Sequence, residues 1–286
     1  MGIQERRATT EVTTRLTTDG ADASLLRDWV NRLAIPRHFS VNRQNNIWVR
    51  TLITRTLEKL GFDVHLQGRF HNIVALPRQG SAESLTLIAA HYDSVPNCPG
   101  ADDNASGLAV LLECARMLGP HSKIGFVAFN AEEDGLLGSS DFVERGMNEM
   151  PPIVAVHVLE MVGYRDIASR GERLPLPWIP RSLRVPDFIG LIAQGSSNAV
   201  VDVAAVSVVS PELRVVAAKT WRPIHRLFPD LTRSDHFPFW RAGFRAVLWT
   251  DTGNFRNPHY HQASDTPSTL DYPFMRDVAN LLCDVV

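Results

Sequence analysis

The spacing of apolar residues changes several times along the chain. Residues 1–20 are polar and Thr-rich with no apolar rhythm, and are expected to form a flexible polar N-terminal arm. Over 22–34 and 43–60 the apolar positions recur at helical spacing. In the second stretch Val49, Leu52, Ile53, Leu57 and Leu60 form one stripe, and Gly61 is a stop signal. FDVHLQ and HNIVALP, separated by a Gly-containing turn, read as adjacent antiparallel strands. Short apolar runs then alternate with helical stripes. Strands are expected at 85–90, 124–129 and 153–159. A helix follows the first, with Leu108, Leu111, Leu112, Ala115 and Leu118 on one face, and another starts near Ser139–Ser140. After a strand at 244–249, a last helix opens at Asp271 and Pro273 and buries Phe274, Val278, Leu281 and Leu282. This alternation predicts an α/β fold, with a largely parallel buried sheet sandwiched between helices. No repeat, low-complexity tract or clear linker divides the chain, so 21–286 reads as a single domain. Within it, 164–187 holds four prolines, five arginines and Trp178, and reads as an irregular surface excursion or a rim beside the site.

Chemistry concentrates where strands end. His91, Asp103, Glu133, Glu160 and His261 each lie just beyond a strand-like run. Open α/β sheets bind ligands at the carboxyl ends of their strands, which gathers residues distant in sequence on one rim. Two histidines and three carboxylates suit a pair of zinc ions sharing one bridging carboxylate. Glu132 stands beside a ligand and is free to act as a base, so the set points to metal-assisted hydrolysis of an amide bond. Each residue has a plainer alternative. Asp102 and Asp103 are both candidates for capping the 107–118 helix. Glu132 and Glu133 are candidate solvated charges, and His259 competes with His261. His157 sits mid-strand as a core histidine, and Cys98 reads as a bystander in its loop.

The segments AHYDS, PGADDNASG, NAEEDGLLGS, LEMVGY, SDHFPF and HYHQASDT resemble, in content and order, the motif series of the M28 family of zinc aminopeptidases. The resemblance runs from about residue 84 to the end. It implies a one-domain mixed sheet of about eight strands between helices, acting on peptides with a free N-terminus. It also implies two Zn2+ ions per chain, bridged by Asp103 and a water or hydroxide. His91 and Glu160 would hold one ion, and Glu133 and His261 the other. Asp93 would orient His91 from behind, and Glu132 would be the general base. Many members carry Asp where this chain has Glu160, and Glu is an equally competent oxygen ligand.

Composition narrows the alternatives. The 286 residues carry a net charge of −2, which gives no electrostatic case for nucleic acid or an anionic membrane. Three cysteines with no CxxC pair argue against a disulfide framework. No apolar run approaches the roughly 20 residues of a membrane span. The polar N-terminus shows no signal-peptide core, so a cytoplasmic location is expected. Three rival readings share the scaffold: a single-zinc glutaminyl cyclase, a related carboxypeptidase or deacylase with an inserted domain, and an inactive binding module.

Overall fold

Nine strands form one sheet, in the order β1-β8-β7-β9-β6-β4-β5-β3-β2. The structure is a computed structural model that describes residues 2–6, 20–78, 84–121, 123–168, 183–207, 210–221 and 227–286. The strands are β1 (Gly2–Arg6), β2 (Asp63–Gln67), β3 (Asn72–Leu76), β4 (Leu85–His91), β5 (Ile124–Phe129), β6 (Ile153–Leu159), β7 (Phe188–Gln194), β8 (Arg214–Thr220) and β9 (Ala246–Thr250). The central strands β9, β6, β4 and β5 are mutually parallel. Antiparallel pairings β3–β5, β2–β3, β7–β9 and β1–β8 flank them, so the sheet is mixed around a parallel centre.

The helices are α1 (Ala23–Leu33), α2 (Arg43–Lys59), α3 (Gly107–Leu118), α4 (Leu137–Glu144), α5 (Asn198–Val206), α6 (His236–Ala242) and α7 (Tyr272–Val285). Alternate residues of the central strands face opposite layers, as the two-residue strand period requires. Ile88 and Ala90 of β4 and Phe126 of β5 pack with α1, α2, α3 and α7. Leu87 and Ala89 of β4 and Val127 of β5 pack with Phe142 of α4 and Phe239 of α6. The stripe expected on α2 buries Val49, Ile53 and Leu57, and that on α7 buries Phe274, Val278, Leu281 and Leu282. α7 starts where its residues demand: the Asp271 side chain accepts from the Phe274 N–H at 2.9 Å, and Pro273 occupies a position that has no intrahelical N–H to lose.

One feature departs from the sequence expectation. The 1–20 arm is not wholly loose: Gly2–Arg6 pairs antiparallel with β8. Without that partner β8 would leave a row of backbone groups open. Between Glu160 and His261, as the single-domain reading expects, the described β7, α5, β8 and α6 extend the same sheet and its layers. Of the 164–187 excursion, 169–182, including Trp178, lies outside the described residues. Among the described residues, no helix is long and apolar enough to cross a membrane.

Candidate metal centre

Because β4, β5, β6 and β9 are parallel, their carboxyl ends share one rim, and the candidate residues follow from it. His91 is the last residue of β4, and Glu160 directly follows β6. Glu132 and Glu133 leave β5 after Asn130 and Ala131, and His261 lies on the loop after β9. Asp103 sits in the turn that leads into α3. Ala131, Met161 and His261 have φ of 55°, 51° and 57°, a left-handed region that non-glycine residues rarely adopt. Each is a candidate ligand or adjoins a functional one, so the backbone holds strain where side chains must converge.

Asp103 divides its carboxylate between two groups. Its Oδ1 lies 3.2 Å from His91 Nε2, which is 3.4 Å from Glu160 Oε1. Its Oδ2 lies 3.1 Å from His261 Nε2, which is 3.3 Å from Glu133 Oε2. In each group the donor atoms lie within 4.8 Å of one another. The set fits divalent cations. Asp103 Oδ1, Glu133 Oε1 and His261 Nε2 are buried with no hydrogen-bond partner among the described residues, and buried polar atoms rarely go unsatisfied. Imidazole nitrogens and carboxylate oxygens are also the donor set zinc takes.

Protonation follows this crowding. Burial alone would lower His91, but Glu160 and Glu132 raise it well above its ordinary value. Burial likewise opposes charge on His261, yet contacts with Asp103 and Glu133 raise it to about 10. Burial works against ionisation of Asp103 too, but the neighbouring His261 and His91 imidazoles hold it below the usual carboxylate range. Burial lifts Glu133 to about 7 and Glu132 well above its ordinary range.

Glu132 takes a different place from the five. Its carboxylate is close to both His91 and Glu133, one member of each group, but it joins neither group around Asp103. It lines a cleft with a cavity volume of about 130 Å³. The same cleft is lined by Asp103, Glu133 and Glu160 and walled by Met161, Ile192, Leu248 and Phe255.

Behind these groups lies a frame of hydrogen bonds. Asp93, fully buried, lies 3.4 Å from His91 Nδ1, and its two oxygens accept from the Glu132 and Glu133 N–H groups at 3.2 Å each. It ties the end of β4 to the loop after β5. Asp102 points away: its carboxylate accepts from the Gly163 N–H at 3.0 Å and Asn257 Nδ2 at 2.7 Å. His259 contacts Ser264 in its own loop. Cys98 donates to the Gln262 carbonyl, and burial pushes its thiol up to about 11. His157 is a core residue accepting from Trp249 Nε1 at 3.1 Å, and burial pulls it down to about 4. Ser234 of the SDHFPF segment donates to Glu160 Oε2 at 2.7 Å.

Two parts of the frame escape a reading of the sequence. Asp265 accepts from the N–H groups of Asp102 and Asp103 at 2.8 and 3.1 Å; its only signal is its place in HQASDT. Arg37 is fully buried and donates to the carbonyls of Tyr92 at 2.9 Å, Pro99 at 2.6 Å and Gly100 at 2.9 Å. It thus closes the 92–100 loop, which ends at a left-handed Gly100 whose hypothetical Cβ would lie 2.2 Å from the Asp103 carbonyl. Arg37→Met strands the buried Tyr92 carbonyl and takes a donor from those of Pro99 and Gly100, the latter keeping the Ala105 N–H. It is expected to lower stability by about 2 kcal/mol or more and to weaken metal binding. Denaturant unfolding checks this, and a loss below about 1 kcal/mol would show that water replaces the guanidinium.

The sequence profile of Peptidase family M28 matches residues 72–175 and 188–286. The chain is 34% identical over 231 residues to the Escherichia coli K12 protein YfbL, covering 74% of this chain and 69% of that one. It is 50% identical over 78 residues to aminopeptidase YwaD of Bacillus subtilis, covering 26% of this chain but only 17% of that one. Among solved structures, the LapA aminopeptidase of Legionella pneumophila superposes with a TM-score of 0.69 at 18% identity, covering 92% of this chain and 70% of that one. A glutaminyl cyclase of Bacteroides thetaiotaomicron superposes with a TM-score of 0.66 at 18% identity, covering 94% and 99%. At such identities the superpositions speak for the fold alone. The profile match, spanning most of the chain, places it in peptidase family M28.

Proposed function

We propose that this peptidase is a zinc-dependent aminopeptidase, which hydrolyses the N-terminal bond of peptides with a free N-terminus. The observation that carries the reading is the division of Asp103, one oxygen beside His91 and the other beside His261. A carboxylate so placed is suited to serve two cations at once. His91 and Glu160 would hold one zinc ion, Glu133 and His261 the other, and Asp103 both. Bound zinc supplies Lewis acidity, which makes water acidic near neutral pH and polarises a carbonyl.

The remaining work falls to the chain. Glu132 takes the proton of the attacking water and delivers it to the leaving amine. Asp93 keeps the His91 ring and the Glu132–Glu133 backbone in register, so that base and ligands move together. The walls formed by Met161, Ile192, Leu248 and Phe255 receive the side chain of the residue being released.

Mass spectrometry of free, N-acetylated and Gln-started peptides, incubated with zinc-loaded protein, tests the reading. Stepwise loss of N-terminal residues from the free peptides alone is expected. Loss of ammonia from the Gln-started peptides alone would make the chain a cyclase. Unchanged peptides, with zinc bound, would overturn peptide hydrolysis.

A further inference from the structure

Among the described residues lining the cleft, four candidate site carboxyls and Asp230 are acidic, and Arg233 is the one basic side chain. Arg233 follows the short turn Pro229–Thr232 and directly precedes Ser234, whose hydroxyl holds Glu160. One guanidinium nitrogen donates to the Tyr260 hydroxyl at 2.9 Å, and another to Asp230 Oδ1 at 3.2 Å. The guanidinium carbon lies 5.8 Å from the centroid of the Tyr260 ring. That ring stacks on His261, with centroids 3.7 Å apart and planes 20° from parallel. Together these contacts put the guanidinium no more than about 10 Å from the His261 imidazole, a span that two or three extended residues cover.

A guanidinium carries five N–H donors in a planar fork suited to two-point capture of a carboxylate. The contacts to Tyr260 and Asp230 occupy two of them. The Asp230 pair is about half exposed, with 46% and 45% of the two side chains accessible. An ion pair in that position is weak and readily exchanged.

We propose that Arg233 is a specificity-determining residue that binds a carboxylate on the leaving side of the substrate, one or two residues beyond the cleaved bond. This rests on the aminopeptidase reading. A scissile carbonyl at the metal centre leaves Arg233 within reach of the C-terminal carboxylate of a dipeptide or tripeptide. Longer peptides present a neutral amide there, so short peptides are favoured. An acidic side chain on the residue after the cleaved bond offers the same chemistry. Tyr260 fixes the distance, because its ring is held against His261 and its hydroxyl against Arg233.

The test compares Leu-Gly with its C-terminal amide on zinc-loaded protein, and Leu-Asp amide with Leu-Asn amide for the side-chain source. Wild-type protein is expected to favour the acid of at least one pair by about fivefold in kcat/KM, through KM, the scale of an exposed ion pair. Which pair responds identifies the carboxylate. Arg233→Met should bring that ratio to about one. Asp230→Asn removes the competing carboxylate and should raise it. Each ratio is internal to one variant, so a general loss of activity cancels. Cleavage with both ratios near one in wild-type protein, or with ratios unchanged in Arg233→Met, would overturn the role of Arg233 and leave the aminopeptidase reading intact. Failure of the zinc-loaded wild type to cleave any of the four, or leucine p-nitroanilide, would overturn both.

Discussion

Replacing Glu132 with Gln is expected to reduce kcat on a free peptide by roughly 10²–10⁴-fold, the usual contribution of a general base, while leaving zinc content unchanged. The two halves of this expectation have separate grounds. Zinc is retained because neither group around Asp103 includes Glu132. The local fold is retained because the Glu132 backbone N–H, not its side chain, is what Asp93 holds. Turnover falls because an amide cannot take the proton from water or pass it to the leaving amine. Burial already drives the Glu132 carboxyl toward holding a proton more tightly than an exposed carboxyl would. Steady-state kinetics beside metal analysis on the same preparation checks both halves. Wild-type kcat in zinc-replete protein would remove Glu132 from the base role. Lost zinc would instead make it a ligand.

Why these residues could be picked out, and others could not, follows from the range over which each is determined. α2, α3 and α7 are legible because their apolar stripes repeat every three or four residues, and Asp271 with Pro273 marks a start. The helix α5 is not, because NAVVDVAAV is rich in valine, whose branched side chain favours strands. It is helical where it packs against β7, β8 and α7, a tertiary cause. In β1, GIQER has no strand pattern of its own, and its pairing depends on the open edge of β8. The same division holds at the site. His91 and Glu160 are conspicuous because each follows an apolar strand. Arg37 is 55 residues from Tyr92, and Asp265 is 162 from Asp103. Their roles exist only once the loops have met, and nothing in their immediate neighbours announces them. Choosing Asp103 over Asp102 needed the family resemblance, since both follow the same glycine and alanine. In three dimensions their carboxylates part, one to the rim and one to the Gly163 backbone.

Asp103→Ala carries the other large expectation: zinc should be lost from both positions, and peptide hydrolysis with it. His261→Ala removes a donor from one group only, and His91→Ala from the other. If Asp103 serves both groups, its loss must weaken both ions together, whereas each histidine variant weakens chiefly one. Removing an outer-shell partner of a metal ligand already costs about 10–100-fold in affinity, so loss of a shared ligand should exceed that at each position. Charge points the same way. With Asp103 gone, only Glu133 and Glu160 remain as anions among the five, and two divalent cations would be held close together with less to balance them. His259→Ala supplies the contrast, since His259 contacts Ser264 and belongs to neither group. Zinc titration by calorimetry, with metal analysis of the purified variants, separates the outcomes. Loss of both ions in Asp103→Ala, with near-normal zinc in His259→Ala, is the signature of a bridging carboxylate. One tightly held ion surviving in Asp103→Ala would mean that the two groups bind independently, and Asp103 would then be an ordinary ligand of one of them.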